Sequence, residues 1–160
     1  MIVSDVHSQK QARFHSRRGA TLVEAGIAMT VLMMFLIGIL DFTLASFRIQ
    51  MLNHVAHRVA REAAIHGPRA VPGWRGGIWG PTTFVTTLAA ADPAADVGRT
   101  VSAGLNADAV TITIEWPNGN NAVGSPVVVE TAMDWTPSFM RPLGLSVMTL
   151  RGQSRHVIVH

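Results

Sequence analysis

The side chains able to do acid–base or metal chemistry in this 160-residue chain are its seven histidines and ten carboxylates, and chemistry requires some of them to converge. Cysteine is absent, which excludes disulfides, thiolate zinc sites and cysteine nucleophiles. His54 and His57 stand three apart, Glu62 and His66 four apart, so on a helix each pair shares a face and can touch one ion. No third ligand follows at a suitable spacing, and a zinc site takes three or four protein ligands. Both pairs therefore read as polar positions on a solvated helix face. His156 and His160 are similarly isolated. Gly144-Leu145-Ser146-Val147-Met148 begins like a nucleophile elbow but lacks the final glycine. Asp92, Asp96 and Asp108 read as helix caps and loop acids, and Gly76-Gly77 has no phosphate-cradling frame after it. The expectation is a protein with no catalytic residues, no metal and no cofactor.

Glu24 is the acid that demands an explanation. It stands near the start of a greasy run in which Ala25 to Leu40 carry no charge and apolar character continues past Asp41 to Phe47. Ala20 to Phe47 makes about 42 Å of helix at 1.5 Å per residue, and a hydrocarbon core of about 30 Å needs roughly 20 residues. The run is therefore predicted to cross a membrane once. Asp41, about 32 Å from Ala20 along the axis, falls near the far interface, where its carboxylate reaches water.

Charge distribution gives the run an orientation. The formal net charge is +3, and Lys10, Arg13, Arg17 and Arg18 against Asp5 account for all of it before Gly19. An excess of basic residues before a span predicts a cytoplasmic N-terminus and an external C-terminus. No basic patch with interleaved aromatics follows, which argues against nucleic acid as a partner.

A basic leader ending in Gly19, a small residue at Ala20 and an acid at Glu24 resemble a type IV prepilin leader. More narrowly, Arg18-Gly19-Ala20-Thr21-Leu22-Val23-Glu24 is similar to the start of TadE-like minor pseudopilins. Arg61-Glu62-Ala63-Ala64-Ile65-His66-Gly67 and Asp41-Phe42 after Gly38-Ile39 add to the resemblance. Ala25 departs from it, because relatives commonly carry phenylalanine there. The resemblance implies cleavage between Gly19 and Ala20 by a prepilin peptidase and a role for Glu24 in assembly. It also implies as partners other pilins or pseudopilins and an inner-membrane assembly platform, in a system serving adhesion or secretion.

Past Phe47 the helical period continues. Ile49, Leu52, Val55, Ala56, Val59 and Ala63 form an apolar stripe, and His66-Gly67-Pro68 supplies a stop. Residues 67–81 read as a Gly/Pro-rich loop in which Trp74 and Trp79 either pin the loop or offer a contact surface, pinning being favoured. Thr82 or Thr83 is predicted to cap a short helix through Leu88 and Ala91. Asp92-Pro93 is predicted to open a second, ended by Gly104. Val110 to Trp116 and Val127 to Trp135 read as strands around the turn Pro117-Asn118-Gly119-Asn120-Asn121. Thr136 to Gly144 reads as a loop, and Leu145 to Leu150 and Arg155 to Val159 as strand-like, with Gly152 permitting a bulge or turn between them.

The expected fold is α+β: a long N-terminal helix packed against a small antiparallel sheet with one or two short helices, the lollipop plan of a pilin. The expected organisation is a cytoplasmic leader 1–19, a membrane segment 20–47, an amphipathic continuation 48–66, the loop 67–81 and an extracytoplasmic domain 82–160. The alternative reading is an extracytoplasmic binding domain on an uncleaved signal anchor, unrelated to pili.

Overall fold

The structure, a computed structural model, describes residues 5–71, 77–137, 144 and 146–159, with side chains described from Gly19 onward. It has two compact units, Met1–Leu40 and Asp41–His160. Helix α1, Asp5–Ile65, contributes to both. No proline interrupts these 61 residues, and Gly19 in a helix interior costs only about 1 kcal/mol relative to alanine. The helix therefore starts well before the expected Ala20 and passes through the Gly19–Ala20 bond. It stops where Gly67 and Pro68 end the helical register.

In the second unit, α1 is followed by strand β1 (Phe84–Thr87), helix α2 (Pro93–Arg99), a 3₁₀ turn at Ala107–Ala109 and strands β2 (Val110–Glu115), β3 (Pro126–Trp135) and β4 (Met148–Val157). The strands form one antiparallel sheet in the order β1-β2-β3-β4, a meander in which sequence neighbours are hydrogen-bonded neighbours. The fold is α+β, with a long apolar helix and a small antiparallel sheet. Alternation decides which face is covered: Val110, Ile112 and Ile114 on β2 and Val127, Val129, Thr131, Met133 and Trp135 on β3 are buried. Leu52, Val55, Ala56, Val59, Ala60, Ala63 and Ala64 of α1 join them in one core. Ile49, expected in this stripe, is exposed instead, and Ala60 and Ala64 take part.

Two elements differ from expectation. The segment after Thr83 is a strand rather than a helix, because the aromatic and β-branched run Phe84-Val85-Thr86-Thr87 pairs with Ile114 to Thr111 of β2. Gly152 makes no bulge or turn: β4 runs unbroken through it, with Gly152 opposite Thr131. The glycine serves close approach. An added Cβ would lie 2.6 Å from both Asn53 N and Leu52 C of α1, while the Thr131 hydroxyl donates to Leu52 O at 3.0 Å. The small side chains on α1 and the missing one at Gly152 let helix backbone and strand backbone meet.

Local devices complete the unit. Asp92 is the N-cap of α2, its Oδ1 accepting from Ala95 N at 2.9 Å, with Pro93 at the first helical position. The helix ends at Arg99, short of Gly104. The Arg48 guanidinium lies 5.6 Å from the Trp135 ring, a cation–π contact between α1 and β3. Trp79 stacks on His66 with centroids 4.8 Å apart, and its backbone N–H donates to His66 O at 2.8 Å, so this tryptophan pins its loop. Trp74 and most of the expected loop 136–144 lie outside the described residues.

Candidate processing and assembly segment

Gly19, Ala20 and Glu24 lie on α1 within the first unit, and all three are exposed. Ala20 and Glu24 are four residues apart, hence about 6 Å along the axis and on one face. That face, lined by Gly19, Ala20, Val23, Glu24, Ile27 and Ala28, belongs to α1 alone. A Cβ added to Gly19 or Gly26 meets nothing within 4 Å. No packing within the described chain therefore requires glycine at position 19.

The apolar side chains that follow behave the same way. Leu22 is 74% exposed, Phe35 66% and Phe42 74%, with Ile27, Met29, Met34 and Ile39 exposed between them. An isolated water-soluble domain does not leave such a continuous apolar surface bare. Helix Gly19–Ile65 is long and apolar enough to cross a membrane. Asp41 departs from expectation: it is only 4% exposed, so its carboxylate does not reach out to water. The second compact unit begins at this residue.

The candidate metal and catalytic residues are dispersed. Glu62 and His66 are buried rather than solvated; Nε2 of His66 lies 3.7 Å from Glu62 Oε1, and its Nδ1 lies 2.5 Å from Gly77 O. They fasten the end of α1 to the loop beyond it. His54 is exposed, and His57 meets His156 instead of His54. Burial, then His57 and Arg61 nearby, hold the His156 imidazole below its ordinary pKa. His160 lies outside the described residues. Asp92 caps α2 and also bonds the Thr86 hydroxyl, Asp96 pairs with Arg99, and Asp108 lies in the 3₁₀ turn, so no two of these acids form a catalytic couple. Ser146 is exposed ahead of β4, and Leu145 beside it lies outside the described residues. A groove of about 240 Å³ beside Trp79, Phe84, Ile114 and Trp116 holds Asp92 as its one charged side chain. Among the described residues no group of three or more His, Cys, Asp or Glu can hold a metal.

The sequence reading missed the His57–His156 pair, 99 residues apart, and the stacking of His66 on Trp79. Strand parity was the available signal for the first: Gly152, Ser154 and His156 share a β4 face, the one that meets α1.

Comparison with known proteins matches this same part of the chain. Residues 19–61, about a quarter of the whole, match the family model described as TadE-like protein. No curated protein and no solved structure matches the chain. The matched segment contains Gly19, Ala20, Glu24, the exposed apolar surface and, of the helix residues in the core, Leu52, Val55, Ala56, Val59 and Ala60. Over that segment, and by that segment alone, the chain is similar to TadE-like proteins.

Proposed function

We propose that this chain is a structural, non-enzymatic minor pseudopilin or assembly factor of a Tad-type pilus or related secretion system. It is held in the inner membrane by a single span, with its N-terminus in the cytoplasm and its sheet domain outside. The observation that carries the reading is the bare surface of α1 from Gly19 to Phe42, where a glycine without packing partners and an acid lead into exposed apolar residues. Each is unexplained by the chain's own fold and explained by lipid, a peptidase and neighbouring helices. Basic residues before the span support the orientation.

A prepilin peptidase cuts after Gly19 in this reading. The bond lies inside α1, so cutting requires the helix to open, and glycine opens at the lowest cost of any residue but proline. Cleavage frees the α-amine of Ala20, whose reference pKa of about 7.7–8.0 leaves it largely charged near neutrality. Glu24 then supplies the opposite charge. A carboxylate costs about 2.5–3.5 kcal/mol at mid-membrane and less toward the interface, so a cationic partner offsets a penalty that exposure to lipid imposes. Pairing Glu24 of one subunit with the amine of the next sets helix register in an assembly.

Co-expression with a prepilin peptidase tests the proposal. The expected product begins at Ala20, and Gly19→Arg leaves the chain uncut. Recovery of only full-length wild-type chain would favour the uncleaved signal anchor.

A further inference from the structure

Apart from the pilus reading, the convergence of α1 and β4 brings one donor of the helix to two donors of the strand that are far from it in sequence. Nδ1 of His57 lies 3.2 Å from Nε2 of His156 and 3.4 Å from Oγ of Ser154. Ser154 and His156 are two apart on β4 and so project from the same face of the strand. We propose that His57, His156 and Ser154 form a surface site for one borderline divalent ion of the zinc or nickel class, which clasps helix α1 to the end of strand β4.

The bite of the two imidazoles carries the assignment. Zinc–imidazole bonds are about 2.0–2.1 Å, and two such bonds to nitrogens 3.2 Å apart enclose an angle of about 100°, close to tetrahedral. The ring planes are tilted by 54° instead of stacked face to face, so the two nitrogens, not the two π faces, meet. Imidazole suits zinc, copper and nickel, and the hydroxyl supplies a third, weaker donor. His57 is exposed, which gives an ion a path in and lets water take the remaining position. Without an ion the two rings can share one hydrogen at the same distance; binding shifts that hydrogen to the other nitrogen of its own ring, so both facing nitrogens offer lone pairs while both imidazoles stay neutral. Arg61, close enough to act on His156, opposes a dication and keeps the site weak.

The test uses the full chain, purified in detergent without a histidine tag and stripped with EDTA. Zinc chloride is titrated in while thermal unfolding is followed by tryptophan fluorescence and free zinc by a competing indicator. The expected result is one ion per chain and a rise in Tm on the order of 3 °C at saturation. Chelator reverses both. His57→Gln and His156→Gln each lose the ion and the rise, while His54→Gln, one helical turn away, keeps them. No response in the parent chain overturns the site. So does a parent-like response in both pair variants, or loss of the ion in His54→Gln.

Discussion

Gly19 and Gly152 both sit in regular secondary structure, and a methyl group added to each meets opposite surroundings. At Gly19 it points into open space; at Gly152 it runs into the backbone of Leu52 and Asn53. Large apolar residues divide the same way. Phe35 in the first unit is 66% exposed, whereas Ile112 in the second is fully buried. The second unit has a buried core of its own, and the first leaves its large apolar side chains exposed. Residue types that build the core of the second unit stand on the surface of the first.

Substitutions can break or sharpen that contrast. The largest effect on stability is expected at Ile112→Ala, which removes buried methyl groups and leaves a cavity costing about 2–5 kcal/mol. Native domains have only about 5–15 kcal/mol in total, so the urea midpoint of the tryptophan signal should fall sharply. Trp116 and Trp135 are buried in the same core and report on it. The matching change in the other unit, Phe35→Ala, should leave that transition within about 0.5 kcal/mol of the parent. A comparable loss at Phe35 would erase the distinction between the units.

Gly152→Ala comes next. Its Cβ must displace helix backbone instead of a flexible side chain, and overpacking of this kind costs about 1–3 kcal/mol. Asp92→Ala should cost about 1 kcal/mol through loss of the α2 cap, measured in the same denaturation series. The smallest change in domain stability is expected at Glu24→Ala, within about 0.5 kcal/mol. Yet that variant should be inserted and cleaved normally while failing to co-purify with pilin partners or form surface fibres. Normal piliation in a strain carrying only Glu24→Ala would show that the acid merely edges the span.

Much of the fold was legible because its signals are local. Strand β2 could be read from alternating β-branched residues, the α2 cap from Asp92-Pro93, and the buried stripe of α1 from spacings of three and four. Phe84 to Thr87 was misread because a four-residue edge strand carries little periodicity and gains its stability from pairing with β2. Gly152 was misread for a related reason. Glycine permits a bulge, a turn or a close approach, and which one it serves depends on what lies opposite. The candidate segment was legible in full as residues, since Gly19, Ala20 and Glu24 are neighbours in the chain.

What the sequence determined by itself is the long apolar helix, the basic residues before it, the TadE-like segment at 19–61 and the α+β class. The family likeness rests on the order of particular residues; the rest follows from composition and periods of two and 3.6 residues, which each segment expresses without reference to any other. Tertiary structure alone decided that Asp41 is covered, that Glu62 and His66 are buried at the helix end, that Gly152 admits the helix backbone, and that His57 finds His156. At Gly152 and His57 the residues involved are far apart in the chain, and the packing of α1 on β4 brings them within reach.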